Sequence, residues 1–147
     1  MKLSTKLRYG VRGMLDLAKQ DGKGTVLLKD IAARQSISES YLANIFGPLV
    51  GAKLVVSKRG CRGGFNLGRK ASKIKLSEIA AVIDGPISLV DCISKAESCK
   101  KISSCAVRVV WARMEKALNE VLESITLQEL VRIDADKTGK LAKMYHI

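Results

Sequence analysis

The sequence predicts a mostly α protein with a small β-hairpin: a winged helix-turn-helix plus a long dimerisation helix. Three observations carry this expectation. Two short helical segments flank a tight polar turn and lead into a hairpin whose tip is rich in glycine and arginine. A long segment in the last third repeats apolar residues at intervals of three and four. The formal net charge of +12 is confined to one half of the chain. Residues 1–75 hold 16 Lys+Arg against 4 Asp+Glu, whereas residues 76–147 hold 10 of each.

A basic half of this kind attracts a polyanion, and double-stranded DNA is the default. An anionic membrane surface would want one basic amphipathic helix, but here the basic residues are spread over several elements. No apolar run is long enough to span a bilayer, and MKLSTKLRYG is not a signal-peptide pattern. The expectation is a soluble cytoplasmic protein without a membrane partner. A length of 147 residues fits one domain plus an extra helix.

Ser4 can cap a first helix from Thr5 to about Lys19, with Leu7, Val11, Met14, Leu15 and Ala18 as its inner stripe. Lys6, Arg8 and Arg12 lie off that stripe, where a phosphate can reach them; a solvated basic face is the plainer alternative. DGKGT, Asp21 to Thr25, breaks the helix. Leu28 to Gln35 forms a second helix, and Ser38 caps a third that starts near Glu39. Tyr41, Leu42, Ile45, Leu49 and Val50 give the third helix an apolar face, and Pro48 predicts a kink or local irregularity. In a helix-turn-helix the second helix enters the major groove by its first turns. Ser38, Ser40, Ala43 and Asn44 then point outward, with Asn44 suited to adenine and the serines to phosphate or base edges.

Leu54 to Lys58 reads as a strand, RGCRGG as a tip, and Phe65 to Leu67 as the start of a returning strand. Arg59 and Arg62 on this wing suit a narrow minor groove, and Lys58 joins the DNA-binding set. A phosphate-cradling glycine loop is the rival, but no G-x-x-x-x-G-K-[ST] occurs. A fourth helix spans Leu76 to Asp84, with Ser77 as its expected cap, and Gly85-Pro86 ends it.

Next comes the thiol loop: Cys92, Cys99 and Cys105 stand in a C-x6-C-x5-C array. Clustered thiolates are soft ligands that can converge on zinc, copper(I) or an iron–sulfur cluster. Lys95, Lys100 and Lys101 lie in the same loop, and ammonium groups favour the thiolate form that metals need. The spacing does not match the C-x2-C of zinc fingers. A thiol–disulfide switch and inert cysteines are the other readings. Cys105 or Ala106 then opens a helix to about Ser124, striped by Val107, Val110, Trp111, Met114, Leu118, Val121 and Ile125. That stripe buries either on its own domain or on the same helix of a second copy, the dimer being favoured. Thr126 to Ile133 is a short closing helix. The expected organisation is a DNA-binding domain at 1–84, a cysteine-rich loop at 85–105, dimerisation helices at 106–133 and a flexible tail at 134–147. Paired carboxylates in a cleft pattern, a nucleophile elbow and a phosphate loop are all missing from the sequence, which argues against an enzyme.

Ser4 to Ala18, Ile37 to Val55 and Lys58 to Gly68 together resemble the Rrf-type winged-helix transcription regulators. The cysteine loop, the tryptophan helix after it and the closing SITLQELV resemble the iron–sulfur cluster regulator (IscR-like) branch. The resemblance runs from the N-terminus to about residue 133. It implies a homodimer that binds a pseudo-palindromic operator, holds one cluster per subunit through Cys92, Cys99 and Cys105, and regulates cluster-assembly or related genes. It favours a 2Fe–2S cluster, with 4Fe–4S as the second form, and implies DNA contacts at Ser38, Ser40, Asn44 and Arg59. Four positions depart from the pattern. Arg108 stands where a ligating histidine often follows the third cysteine, and the only histidine is His146 in the tail. Arg8 stands where a nitric-oxide-sensing branch carries a ligating aspartate. Ala43 replaces an acidic residue of some relatives, and Cys61 sits at a wing tip that is usually small or proline. A winged-helix regulator switched by thiol oxidation or zinc instead of a cluster is the alternative.

Overall fold

A computed structural model describes residues 3–144. Its centre is helix α1, Thr5–Lys19, which lies against four other helices and the hairpin. The Ser4 hydroxyl accepts the Leu7 N–H at 2.8 Å and donates to Asp84 Oδ1 at 2.8 Å, so one side chain caps α1 and ties it to the end of a later helix. Leu7, Met14, Leu17 and Ala18 are buried, while Leu15 is only half-buried, so the inner stripe lies slightly rotated from the one expected. Gly10 and Gly13 let neighbours approach closely: a Cβ at Gly13 would stand 2.9 Å from Phe46, and one at Gly10 2.2 Å from Ile83.

Helices α2, Leu28–Gln35, and α3, Glu39–Gly51, are joined through Ser36 in the left-handed region at φ 53°. Ser38 caps α3 as expected, accepting the Tyr41 N–H at 3.3 Å. Pro48 lies inside α3, which runs on to Gly51, and the Pro48 carbonyl accepts the Ala52 N–H at 2.9 Å. Leu42, Ile45, Phe46 and Leu49 form the buried face, and Tyr41 turns outward.

Strands β1, Val55–Lys58, and β2, Gly64–Leu67, pair antiparallel with Val55 opposite Leu67 and Lys58 opposite Gly64. Leu54 does not join the ladder: its N–H closes the end of α3 on the Leu49 carbonyl at 3.0 Å. Val26 adds a bridge to Phe65 through bonds of 2.9 and 2.7 Å, so the hairpin leans on the segment before α2.

Helix α4, Leu76–Asp84, starts two residues earlier than a Ser77 cap requires, and Lys75 is its N-cap. The cause lies far along the chain. Leu76 N–H bonds to the Ile125 carbonyl at 3.0 Å and Leu127 N–H to the Ile74 carbonyl at 2.8 Å, which holds Lys75 extended at the helix threshold. Glu78 accepts the Lys75 N–H at 3.0 Å.

After Gly85 the chain makes a one-turn helix α5, Asp91–Ser94, and two 3-10 turns, Ala96–Ser98 and Ile102–Ser104. Helix α6, Ala106–Ser124, follows, and none of its residues is buried. The closing helix α7, Leu127–Met144, corrects the expected stop at Ile133. No proline or cap signal interrupts it. Lys19 pairs with Asp134 at 2.6 Å and the Thr138 hydroxyl donates to the Asp134 carbonyl at 2.9 Å, so the segment read as a tail continues the helix past α1. Residues 145–147 of the expected tail, with His146, lie outside the described residues. Among the described residues, no helix is long and apolar enough to cross a membrane.

Candidate nucleic-acid interface and cysteine loop

The first turns of α3 present Ser38, Ser40, Ala43 and Asn44, all exposed. Ser38 spends its oxygen on the Tyr41 N–H and keeps its own proton for an outside acceptor. Lys58, Arg59 and Arg62 are exposed on the hairpin. The tip is shaped from within: Gly63 N–H bonds to the Gly60 carbonyl at 2.8 Å, and the Thr25 hydroxyl donates to the Arg62 carbonyl at 2.9 Å. Helix α3 packs on β1.

On α1, Arg8 is exposed and donates to the Thr5 hydroxyl at 3.2 Å, while Lys6 is half-buried. Arg12 differs from the expected free cation. Its Nε donates to Gln35 Oε1 at 3.2 Å, its Nη2 donates to the Gln35 carbonyl, and its guanidinium lies 5.4 Å from the centre of the Tyr9 ring. Behind it is a group the sequence reading passed over: Asp16, buried within the inner face of α1. Asp16 accepts from Arg34 Nε at 3.0 and 3.1 Å, from Arg34 Nη2 at 2.7 Å and from Gln35 Nε2 at 3.2 Å. Donation to the Asp16 carboxylate raises the Arg34 pKa above its ordinary value, against the opposing effect of desolvation. The one clue in the sequence was an acidic residue flanked by apolar ones in a strongly basic half.

The cysteine loop is tied to α6 at two points. Arg108 Nε donates to the Cys92 carbonyl at 2.9 Å, and Glu115 Oε2 accepts the Leu89 N–H at 3.0 Å. Seven residues apart, these two side chains share the helix face that meets the loop. Arg108 therefore serves as a backbone clamp. Cys92 on α5 and Cys105 at the N-cap of α6 are half-buried, whereas Cys99 between them and Cys61 at the wing tip are exposed. All four are free thiols. Among the described residues, no three His, Cys, Asp or Glu side chains are gathered to hold a metal.

On α6, Val107, Val110, Trp111, Met114 and Val121 are all exposed. Next to this helix, the start of α1 and the end of α4 frame an apolar cleft of about 570 Å³, lined among others by Leu3, Leu7, Leu118, Val121 and Leu122.

The Rrf2 family, described as "Iron-dependent Transcriptional regulator", matches residues 3–133. CymR of Bacillus subtilis is 42% identical over 130 residues, covering 88% of this chain and 89% of CymR. A solved structure of B. subtilis CymR, described as the global cysteine regulator, superimposes with a TM-score of 0.79 over 90% of this chain and 98% of that one. IscR of Sodalis glossinidius is 40% identical over 131 residues, covering 89% of this chain and 79% of IscR. The structure of IscR from T. potens is 38% identical with a TM-score of 0.77, over 94% of this chain and 90% of that one.

Proposed function

This chain belongs to the Rrf2 family of DNA-binding transcriptional regulators, and on that premise we propose that it is a cytoplasmic homodimer responding to iron–sulfur cluster status. Its α3 and hairpin read a pseudo-palindromic operator, and its targets are cluster-biogenesis or related genes. Cys92, Cys99 and Cys105 would hold the cluster, of the 2Fe–2S type first and 4Fe–4S second.

The observation that carries this reading is the placement of the thiols. Three sit on a loop whose one end follows the DNA-binding body and whose other end is the N-cap of α6. The donor set fits in chemistry, since three soft thiolates suit iron–sulfur or zinc ligation. It is not preassembled, so binding would have to close the loop, with Arg108 holding the Cys92 backbone against α6. A cluster, when bound, supplies a centre that iron supply and oxidants alter. The chain's part is to convert loop shape into the placement of α6. If α6 pairs with its copy, that placement sets the separation of two α3 helices and hence the half-site spacing accepted.

The test is to purify the protein without oxygen, record its visible spectrum, and assay iron, acid-labile sulfide and zinc per chain. Matched iron and sulfide in a coloured protein support the reading, and their amount per chain separates the two cluster types. A Cys92→Ala/Cys99→Ala/Cys105→Ala protein should stay dimeric and bind DNA but lose its response to iron starvation. Normal regulation by that variant would end the sensing role.

A second reading keeps DNA binding and replaces the cluster by thiol oxidation or zinc. It draws on the four free thiols, two of them exposed, and on the similarity to CymR as well as to IscR. A colourless anaerobic protein that stays colourless after attempted cluster reconstitution would favour it.

A further inference from the structure

We propose that Asp16 is a positioning residue for sequence reading: through Arg34, Gln35 and Arg12 it fixes the angle at which α3 is presented to DNA. Among the described residues Asp16 is the one charged side chain in the buried set, at 4% exposure. A carboxylate withdrawn from water in this way is tolerated only when its oxygens are filled, and here both are. The partners are not scattered. Arg34 and Gln35 are the last two residues of α2, directly before the left-handed Ser36 that turns the chain toward α3.

The Gln35 amide is held from both sides: its NH2 donates to Asp16 and its oxygen accepts from Arg12. Arg12 also takes the Gln35 backbone carbonyl, one of the acceptors that the end of a helix leaves open. Its guanidinium then lies on Tyr9, and Tyr9 meets Tyr41 edge-on with ring centres 6.0 Å apart. Tyr41 belongs to the first turn of α3, beside Ser40. Tyr9, Arg12 and Asp16 recur at helical spacing on one face of α1, so this face follows the chain from the end of α2 through the turn to the start of α3. Apolar packing sets the distance between these helices but is non-directional. The bidentate fork of Arg34 on Asp16 is directional, and it fixes rotation about the turn.

The proposal rests on α3 being the reading helix, and the experiment separates failure of that reading from failure of the proposal. A duplex pool is selected with the wild-type protein. Affinity is then measured for a selected duplex and for a scrambled duplex of equal length, in wild type, Asp16→Asn and Gln35→Ala. Gln35→Ala removes the side-chain bridge between Asp16 and Arg12 while leaving the Asp16–Arg34 pair and the bond from Arg12 to the residue 35 carbonyl, so it carries the test if Asp16→Asn does not fold. The expected result is a loss of about tenfold or more on the selected duplex, the size of one misplaced base contact. Binding to the scrambled duplex, which depends on phosphate contacts, should hold within about twofold. Equal losses on both duplexes, as plain destabilisation would give, overturn the proposal, and so does an unchanged ratio in folded variants. A wild-type protein that discriminates no duplex would instead remove the reading helix itself.

Discussion

Replacing Val110 and Met114 together by serine should split the proposed dimer. Val110 is 51% exposed and Met114 40% exposed on one chain. Burying such a side chain completely is worth roughly 1.5–3 kcal/mol, so the exposed part of each is worth about 1 kcal/mol. A two-fold seam uses each residue twice, and the double variant therefore removes about 4 kcal/mol. That is about three orders of magnitude in the dimer Kd. Sedimentation equilibrium across micromolar concentrations reads this directly. The wild type should remain dimeric where the variant is monomeric, with unchanged helical content because α6 has no buried residue to lose. Operator affinity should fall with it, since half of the contacts depart. A variant as dimeric as the wild type would mean that the outward face of α6 is not the seam, and the transmission route from the cysteine loop to half-site spacing would fail with it.

Arg59→Ala should cost about 1–3 kcal/mol on a selected duplex if the wing arginine enters a groove, and unchanged binding would remove it from the interface. DNA affinity as a whole should fall steeply with salt, and a flat dependence on fluorescence titration would contradict the assignment of the basic half to phosphate. Gly64→Ala should destabilise the hairpin by about 1–3 kcal/mol, because Gly64 has φ +148° and a Cβ there would stand 2.7 Å from the Val26 carbonyl; an unchanged thermal midpoint would count against this account of the wing. Burial raises the Glu78 carboxyl, but the Lys75 N–H and Arg69 outweigh it and the net shift is downward from 4.5. A carboxylate with a lowered folded pKa contributes stability above its unfolded pKa and loses it as pH falls through the folded value. Glu78→Gln should therefore flatten the acid limb of urea-midpoint profiles below about pH 4.5, and parallel limbs would refute the role of Glu78 at the start of α4.

What was legible in the sequence was local. Ser4 and Ser38 announced two helix starts because a cap is decided within three residues. RGCRGG announced the wing tip because turn chemistry is decided within a few residues. Ser77 failed as a cap for the opposite reason: Lys75 is held extended by residues about fifty positions away, at Ile125 and Leu127. The end of α7 was misplaced because Asp134 to Lys140 looks like a solvated tail until Lys19 of α1 supplies its partner. Arg12 was placed on a basic face open to phosphate or solvent because its charge is visible in the sequence and its partners on α2 are not.

The same distinction separates the two halves of the candidate site. Asn44 and Arg59 could be proposed from sequence because a candidate DNA contact needs only an outward side chain on a predictable element, and both are exposed. Asp16 could not, because its partners on α2 meet it only once α1 and α2 are packed. The cysteine loop falls between these cases. Its ligand types are plain in the sequence, but its three thiols are not assembled by the fold around them. A site that assembles only on binding draws on binding free energy to order its loop, and a loop clamped to α6 through Arg108 and Glu115 can return that ordering as movement of the helix. Cutting both clamps with Arg108→Ala/Glu115→Ala should therefore leave DNA affinity and thiol chemistry in place while uncoupling one from the other. Loss of iron response with full metal content in that variant would place the signal in the clamps, and a retained response would place it elsewhere.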